Sequence, residues 1–218
     1  TCRVDPGLPV WDLPDPRTAP AGEDVVCVGG ELDAATVLYA YSRGLFPMEV
    51  EPELLGWWSP DPRGVLPIDS LRITRSLRAS MRRFEFSFDT DFVGVMRACA
   101  DPAREHGWIT QEFIDTYAEL HRLGWAHSVE VRRDGELVGG LYGIEIGGLF
   151  AGESMFHRDR DASKAALVAL VAQLDDGCDR LIDVQWSTPH LASLGVIELD
   201  RAAYLDRLAR VLRTDPVL

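Results

Sequence analysis

The amino-acid sequence predicts an α+β fold in two parts, on three observations. Residues 128–156 read as consecutive strands, with turn signals at Asp134-Gly135 and Gly147-Gly148. A helical segment with Asp161 as its cap carries Leu167, Leu170, Val171 and Leu174 on one stripe, and the apolar segment 180–185 then reads as one more strand. The aromatic, proline-punctuated segment 57–67, WWSPDPRGVLP, predicts a rigid loop and a boundary. It divides a small N-terminal domain at 1–62 from a larger domain at 63–218. Antiparallel strands, then a helix, then a further strand define the α+β class.

The elements follow in order. Residues 1–30 are expected to be loop-rich, because prolines recur from Pro6 to Pro20. A helix follows, with Asp33 as N-cap, Leu38, Tyr41 and Leu45 at helical spacing, Gly44 as its stop and Pro47 barring continuation. A second helix spans 74–83 with Thr74 as cap. There Arg75, Arg78 and Arg82 share a face, Arg83 adjoins them, and Leu77 and Met81 lie opposite. Phe84, Phe86 and Phe88 alternate with polar residues, which predicts a strand with one buried face. Helices are expected near 91–99 and 110–123, the second with Phe113, Ile114, Tyr117 and Leu120 turned inward. The strands SVEVRR, ELVGGLYGIEI and LFAGESMF come next, and a short helix after Pro189 and an amphipathic helix at 200–212 close the chain.

With 46% hydrophobic residues in 218, the chain can bury a core. No stretch approaches the ~18–20 apolar residues of a membrane span. Residues 1–23 mix prolines, acids and arginines, which reads as neither a signal nor a transit peptide. Cys2, Cys27, Cys99 and Cys178 are widely spaced, so free thiols in a reducing cytoplasm are expected. The histidines are scattered, and no metal site is expected. A net charge of −13 argues against loose adhesion to nucleic acid but permits a local basic face. Lys164 is the only lysine, and arginine suits bidentate contacts to phosphate or carboxylate.

Three segments could carry chemistry: GESMF (152–156), DASK (161–164) and IDVQ (182–185). An acid among apolar neighbours is costly unless it is paired or lines a site, so Glu153 and Asp183 are either salt-bridged structural carboxylates or functional ones. Asp183 and Gln185, two apart on a strand, share a face. Gly139, Gly140 and Gly143 sit within a strand, where close backbone packing explains them better than a phosphate cradle. Trp57 and Trp58 are either core or a stacking platform. The arginine face of 74–83 is either solvated or a polyanion contact. No GxSxG elbow or Cys/His setting appears, so a covalent acyl-enzyme is not supported. The strand–helix–strand order also fits an acetyltransferase-type (GNAT) core. Such enzymes hold coenzyme A pyrophosphate with (Q/R)-x-x-G-x-(G/A), and the candidate from Arg132 through Gly135 meets Leu137 at its last position.

The blocks YSRGLFP (41–47), WWSPDPR (57–63), WIT (108–110), AHSVEV (126–131), LVGGLYG (137–143), FAGESMF (150–156), ASKAAL (162–167), ID-x-Q (182–185) and HLASLG (190–195) occur in this order. Together they resemble the signature of leucyl/phenylalanyl-tRNA–protein transferases from about residue 25 to 208. The resemblance implies a small N-terminal domain and a GNAT-like domain, no metal and no coenzyme A. It implies Leu-tRNA or Phe-tRNA as donor, Met-tRNA less well, and as acceptor a protein beginning with arginine or lysine. The product would carry an N-degron for proteolysis in the cytoplasm. Residue by residue it implies Asp183 and Gln185 as a catalytic pair and Glu153 as an acid near the reacting amine. It places Leu141, Phe150, Ser154, Leu167, Leu170, Leu174 and Ile182 around the aminoacyl side chain. Met48, Trp57 and Trp58 fall near the terminal adenosine, Met48 standing where the family usually carries tryptophan. Arg75, Arg82 and Arg83 fall on the tRNA acceptor arm. Two other readings remain open on the residues alone: a GNAT-type enzyme with a different acyl donor, and an inactive tRNA- or peptide-binding module.

Overall fold

A computed structural model describes residues 3–102 and 107–218; Cys2 lies outside the described residues. The strands are β1 (Val25–Val28), β2 (Phe46–Glu51), β3 (Leu54–Trp58), β4 (Arg63–Leu66), β5 (Glu85–Phe88), β6 (Ala126–Arg133), β7 (Glu136–Ile146), β8 (Leu149–His157), β9 (Leu181–Gln185) and β10 (Ile197–Leu199). The helices are α1 (Ala34–Ser42), α2 (Arg75–Met81), α3 (Phe92–Cys99), α4 (Gln111–Arg122), α5 (Ala162–Leu174), α6 (Pro189–Leu194) and α7 (Arg201–Val211).

Two sheets result. A three-stranded antiparallel sheet has the order β1-β3-β2, and a seven-stranded sheet has the order β10-β4-β9-β8-β7-β6-β5. Among the described residues of the larger sheet only β8 and β9 pair in parallel, and α5 makes their crossover. This is the α+β order expected: meander, helix, parallel strand. The caps explain the helix starts. Asp33 accepts from the Thr36 amide, Thr74 from Leu77, Asp91 from Gly94 and Asp200 from Ala203.

Several elements differ from expectation. Segment 57–67 is not one loop: Trp57 and Trp58 end β3, and Arg63 opens β4. The N-terminal sheet was not foreseen. Its β2 contains Pro47, and β1 has no buried residue to give an alternating pattern. Phe84 is buried but Phe86 is exposed, because β5 forms the open edge of the larger sheet. The hairpin turn after Arg132 does not precede α5; the loop that does is 158–161. It brings Asp161 to α5 with φ 71°, a left-handed conformation usually left to glycine, and places Ser163 two residues on.

The glycines of β7 are packed. A Cβ on Gly139 would lie 2.5 Å from the Ala162 side chain, and one on Gly143 2.2 Å from the Ala151 carbonyl. Helix α5 therefore lies directly on β7. Among the described residues, no helix is long and apolar enough to cross a membrane, and no cluster of three or more His, Cys, Asp or Glu could hold a metal. Cys27, Cys99 and Cys178 carry no disulfide.

Candidate active site

The chemistry-bearing strands β4, β8 and β9 are neighbours, and their side chains meet helices α1, α4 and α7. Asp183 on β9 is fully buried. Its carboxylate takes the Arg63 guanidinium side-on, with Nε 2.9 Å from Oδ1 and the terminal nitrogen 2.6 Å from Oδ2. The Tyr204 hydroxyl donates to Oδ2 at 2.8 Å and the Gln185 amide to Oδ1 at 2.9 Å. Arg63 itself lies between the rings of Phe46 and Tyr204, 4.8 and 4.6 Å from their centroids, and donates to the Gly44 carbonyl. Burial alone would lower its basicity. The facing Asp183 charge and Tyr204 outweigh that, and the guanidinium is held charged.

Asp183 has a local task. It holds the Gln185 amide while Gln185 adopts φ 60°, a strained setting for a side chain that long. The register between β4 and β9 shifts there. Gly64 permits it, since a Cβ at that position would lie 2.8 Å from the Trp186 carbonyl carbon and 2.9 Å from the Ser187 amide. The kink sends the Gln185 side chain toward Glu153, with Nε2 3.4 Å from Oε1.

Glu153 on β8 is half-buried. The Tyr117 hydroxyl reaches it at 3.5 Å and is bonded in turn to the Tyr41 hydroxyl at 2.7 Å. Burial pushes the Glu153 carboxyl up to about 8; the Tyr41 hydroxyl opposes this, and the negative charge of Asp183 adds to it. Both phenols are held well above their usual range, first by burial. A carboxyl that titrates near neutrality, beside a cleft and among neutral hydroxyls, can exchange a proton at working pH.

Two clefts meet at this point, sharing Glu153, Val184, Gln185 and Leu191. The first encloses about 560 Å³, with walls of Leu141, Phe150, Leu167, Leu170 and Ile182. The second, about 580 Å³, is walled by Phe46, Met48, Trp108 and Trp186. Trp186 stands edge-on to Phe46 at 5.3 Å and to Trp58 at 5.8 Å. The pair of clefts joins an apolar slot to an aromatic one across a single titratable carboxyl.

Comparison with known proteins gives the family. The family model for the leucyl/phenylalanyl-tRNA protein transferase matches residues 65–209, and that for its N-terminal domain matches 30–61. The chain belongs to the leucyl/phenylalanyl-tRNA–protein transferase family. The transferase of Herpetosiphon aurantiacus is 48% identical over 185 residues, covering 84% of this chain and 95% of that one. The transferase of Ruegeria sp. is 52% identical over 186 residues, covering 83% and 87%. That of Aromatoleum aromaticum is 50% identical over 198, covering 89% and 84%. Among solved structures, a ribosomal-protein-alanine N-acetyltransferase from Brucella melitensis biovar Abortus superposes with TM-score 0.36 at 20% identity, over 49% of this chain and 82% of that one.

Set against the positions the transferase resemblance implies, the structure divides the residues. Leu141, Phe150, Ser154, Leu167, Leu170 and Ile182 line the apolar cleft, and Met48 lines the aromatic one. Leu174 does not reach the cleft; it is core, farther along α5. Trp57 is also core, fully buried, its indole N–H donating to the Gly29 carbonyl. Trp58 lines neither cleft but braces both Trp186 and the Met48 carbonyl, to which it donates at 2.9 Å. Asp183 lines neither cleft, because Arg63, Tyr204 and the Gln185 amide enclose it. Arg75, Arg82 and Arg83 are exposed, as is Arg78. Sequence reasoning missed Arg63, Tyr204, Tyr41, Trp108 and Trp186 as parts of the site. Arg63 did carry a signal: a lone arginine between a proline and a glycine, leading into an apolar strand.

Proposed function

We propose that this transferase moves a leucyl or phenylalanyl group, and methionyl less well, from the 3′-ester of its tRNA to the α-amine of a protein beginning with arginine or lysine. The product then carries an N-degron for cytoplasmic proteolysis. The observation that carries this reading is the junction of the two clefts on Glu153 and Gln185. The apolar slot suits a leucyl or phenylalanyl side chain. The aromatic one suits the terminal adenosine, with Trp186 and Trp108 offering ring surfaces that Met48 does not. The ester carbonyl then falls between the slots, where the reactive groups stand. The boundary at 62/63 is supported by the change of sheet between β3 and β4.

The ester is already activated, so aminolysis needs positioning and charge stabilisation rather than an enzyme nucleophile. The incoming amine, with a reference pKa of about 7.7–8.0, attacks the carbonyl carbon. A C–N bond forms, the bond from the carbonyl carbon to the ribose 3′-oxygen breaks, and that oxygen leaves as a hydroxyl. Glu153 takes the proton shed by the amine, and protonated Glu153 can return it to the departing oxygen. The Gln185 amide orients the reacting groups. Asp183 acts at one remove, as the positioning residue that fixes Gln185 through its backbone amide. Arg75, Arg82 and Arg83 form the contact to the tRNA acceptor arm.

The test offers labelled Leu-tRNA, Phe-tRNA or acetyl-coenzyme A with a protein whose first residue is arginine. Ribonuclease-sensitive transfer from the tRNA esters is expected. Ribonuclease-insensitive transfer from acetyl-coenzyme A overturns the reading.

A further inference from the structure

A third cleft of about 810 Å³ opens between the loop before α5, the start of α5 and α6. It is lined by His157, Arg160, Asp161, Ser163, Lys164 and His190, with Arg158 at its rim. Nothing in the chemistry above uses these residues. Their charge runs against the chain as a whole, which carries −13. Three permanent cations, including the only lysine of the chain, face one carboxylate. That carboxylate is already engaged: Asp161 accepts from Ser80 at 2.9 Å and lies 3.7 Å from the Lys164 ammonium and 3.9 Å from Arg160. Arg158 is partly committed to the Leu137 carbonyl and the Phe156 ring, whereas Arg160 is almost wholly exposed. His190 is held below its usual basicity by burial, by Lys164 and by His157. The cleft therefore keeps an excess of positive charge that Asp161 offsets only in part.

Its position fixes the anion it suits. Lys164 stands one helical turn, about 5 Å, before Leu167 of the apolar cleft. His157 follows Met155 of that cleft by two residues on the same face of β8, about 7 Å along the strand. His190 and Leu191 are consecutive on α6, one lining each side. The cationic cleft thus lies one nucleoside's reach from the slot assigned to the aminoacyl group.

We propose that this cleft binds the phosphodiester joining the terminal adenosine of the donor tRNA to the nucleotide before it, with Lys164 and Arg160 as its cationic contacts and His190 and Ser163 as further donors. The inference rests on the donor assignment above. It also makes the arginine face of α2 continuous with the active site, because Ser80 of α2 bonds Asp161 at the cleft's edge.

The experiment measures calorimetric binding of two amide-linked, unreactive donor mimics: leucyl-adenosine, with no phosphate, and leucyl-cytidylyl-adenosine, with one. In the unaltered protein the second is expected to bind at least about tenfold tighter, the scale of a charge-assisted contact. Lys164→Gln with Arg160→Gln should abolish that ratio and leave leucyl-adenosine affinity as the gauge of an intact pocket. Both side chains reach solvent, so folding should not depend on them. Equal binding of the two mimics by the unaltered protein, or a ratio that survives the double change, overturns the proposal. If neither mimic binds, the donor assignment itself fails and the phosphodiester site falls with it.

Discussion

Arg63 and Asp183 meet across β4 and β9, 120 residues apart in sequence, as a side-on ion pair with neither side chain open to solvent. The pair joins the strand after the smaller sheet to the strand that carries Gln185. It also decides how Asp183 behaves: every near donor is already committed to it.

Asp183→Asn should therefore lower stability as well as turnover. Removing one charge leaves Arg63 buried without a counter-ion, which costs about 3–5 kcal/mol. Urea titration should show that loss, and adding Arg63→Met should recover part of it. A variant with unchanged unfolding midpoint and abolished turnover would instead make Asp183 a direct participant.

Glu153→Gln should separate chemistry from binding. Its single-turnover rate at saturating donor should fall about 10²–10³-fold, while affinity for leucyl-adenosine stays near that of the unaltered protein. Near-normal turnover would move the proton acceptor elsewhere, with the tRNA's own hydroxyl the next candidate.

The same carboxyl sets a pH dependence of stability. Folded, it titrates at about 8 against an ordinary value of 4.5. Between those values the folded state holds a proton that the unfolded state has released, so stability falls as pH rises from 4.5 to 8 and is then flat. The decline should be of the order of a few kcal/mol. Unfolding measured across that range should show this component in the unaltered protein and lack it in Glu153→Gln. Parallel curves for the two proteins would mean an ordinary Glu153.

Leu167→Phe should narrow the apolar slot at its wall. Phenylalanine donors should then lose at least about tenfold against leucine donors, the scale on which a pocket discriminates by volume. Competition between the two charged tRNAs measures this directly, and an unaltered ratio would place the donor side chain in the aromatic cleft.

Arg82→Glu should weaken tRNA binding and reduce the salt slope by about one unit, because fewer counterions are released. An unchanged slope would return the α2 face to plain solvation.

How much of this was legible in the sequence follows from range. Helices with a capping residue and a clear stripe, such as α4 with Thr110, Phe113 and Tyr117, emerge from local spacing. So do β6, β7 and β8, through their turns. The N-terminal sheet does not, because β2 contains proline and three glutamate or methionine positions that give no buried alternation. At the site, Glu153 and Gln185 stood out as polar residues in apolar strands. Arg63 and Tyr204 did not, since partners 120 and 21 residues away from Asp183 leave no local period. Asp183 was visible as a buried acid, and both of its readings, structural and functional, started from the same cost. Only the observed partners divide them.

The exposed arginines on α2 and the cationic cleft beside α5 have a consequence before any contact forms. A long polyanion drifting toward a body of net charge −13 is turned away over most directions of approach. The exposed arginines and the cleft cations gather positive charge on the α2–α5 side, which favours encounters that arrive facing the mouth of the clefts. The acidity of the remaining surface then works as a filter on orientation, and added salt should slow productive encounters while making random ones more frequent.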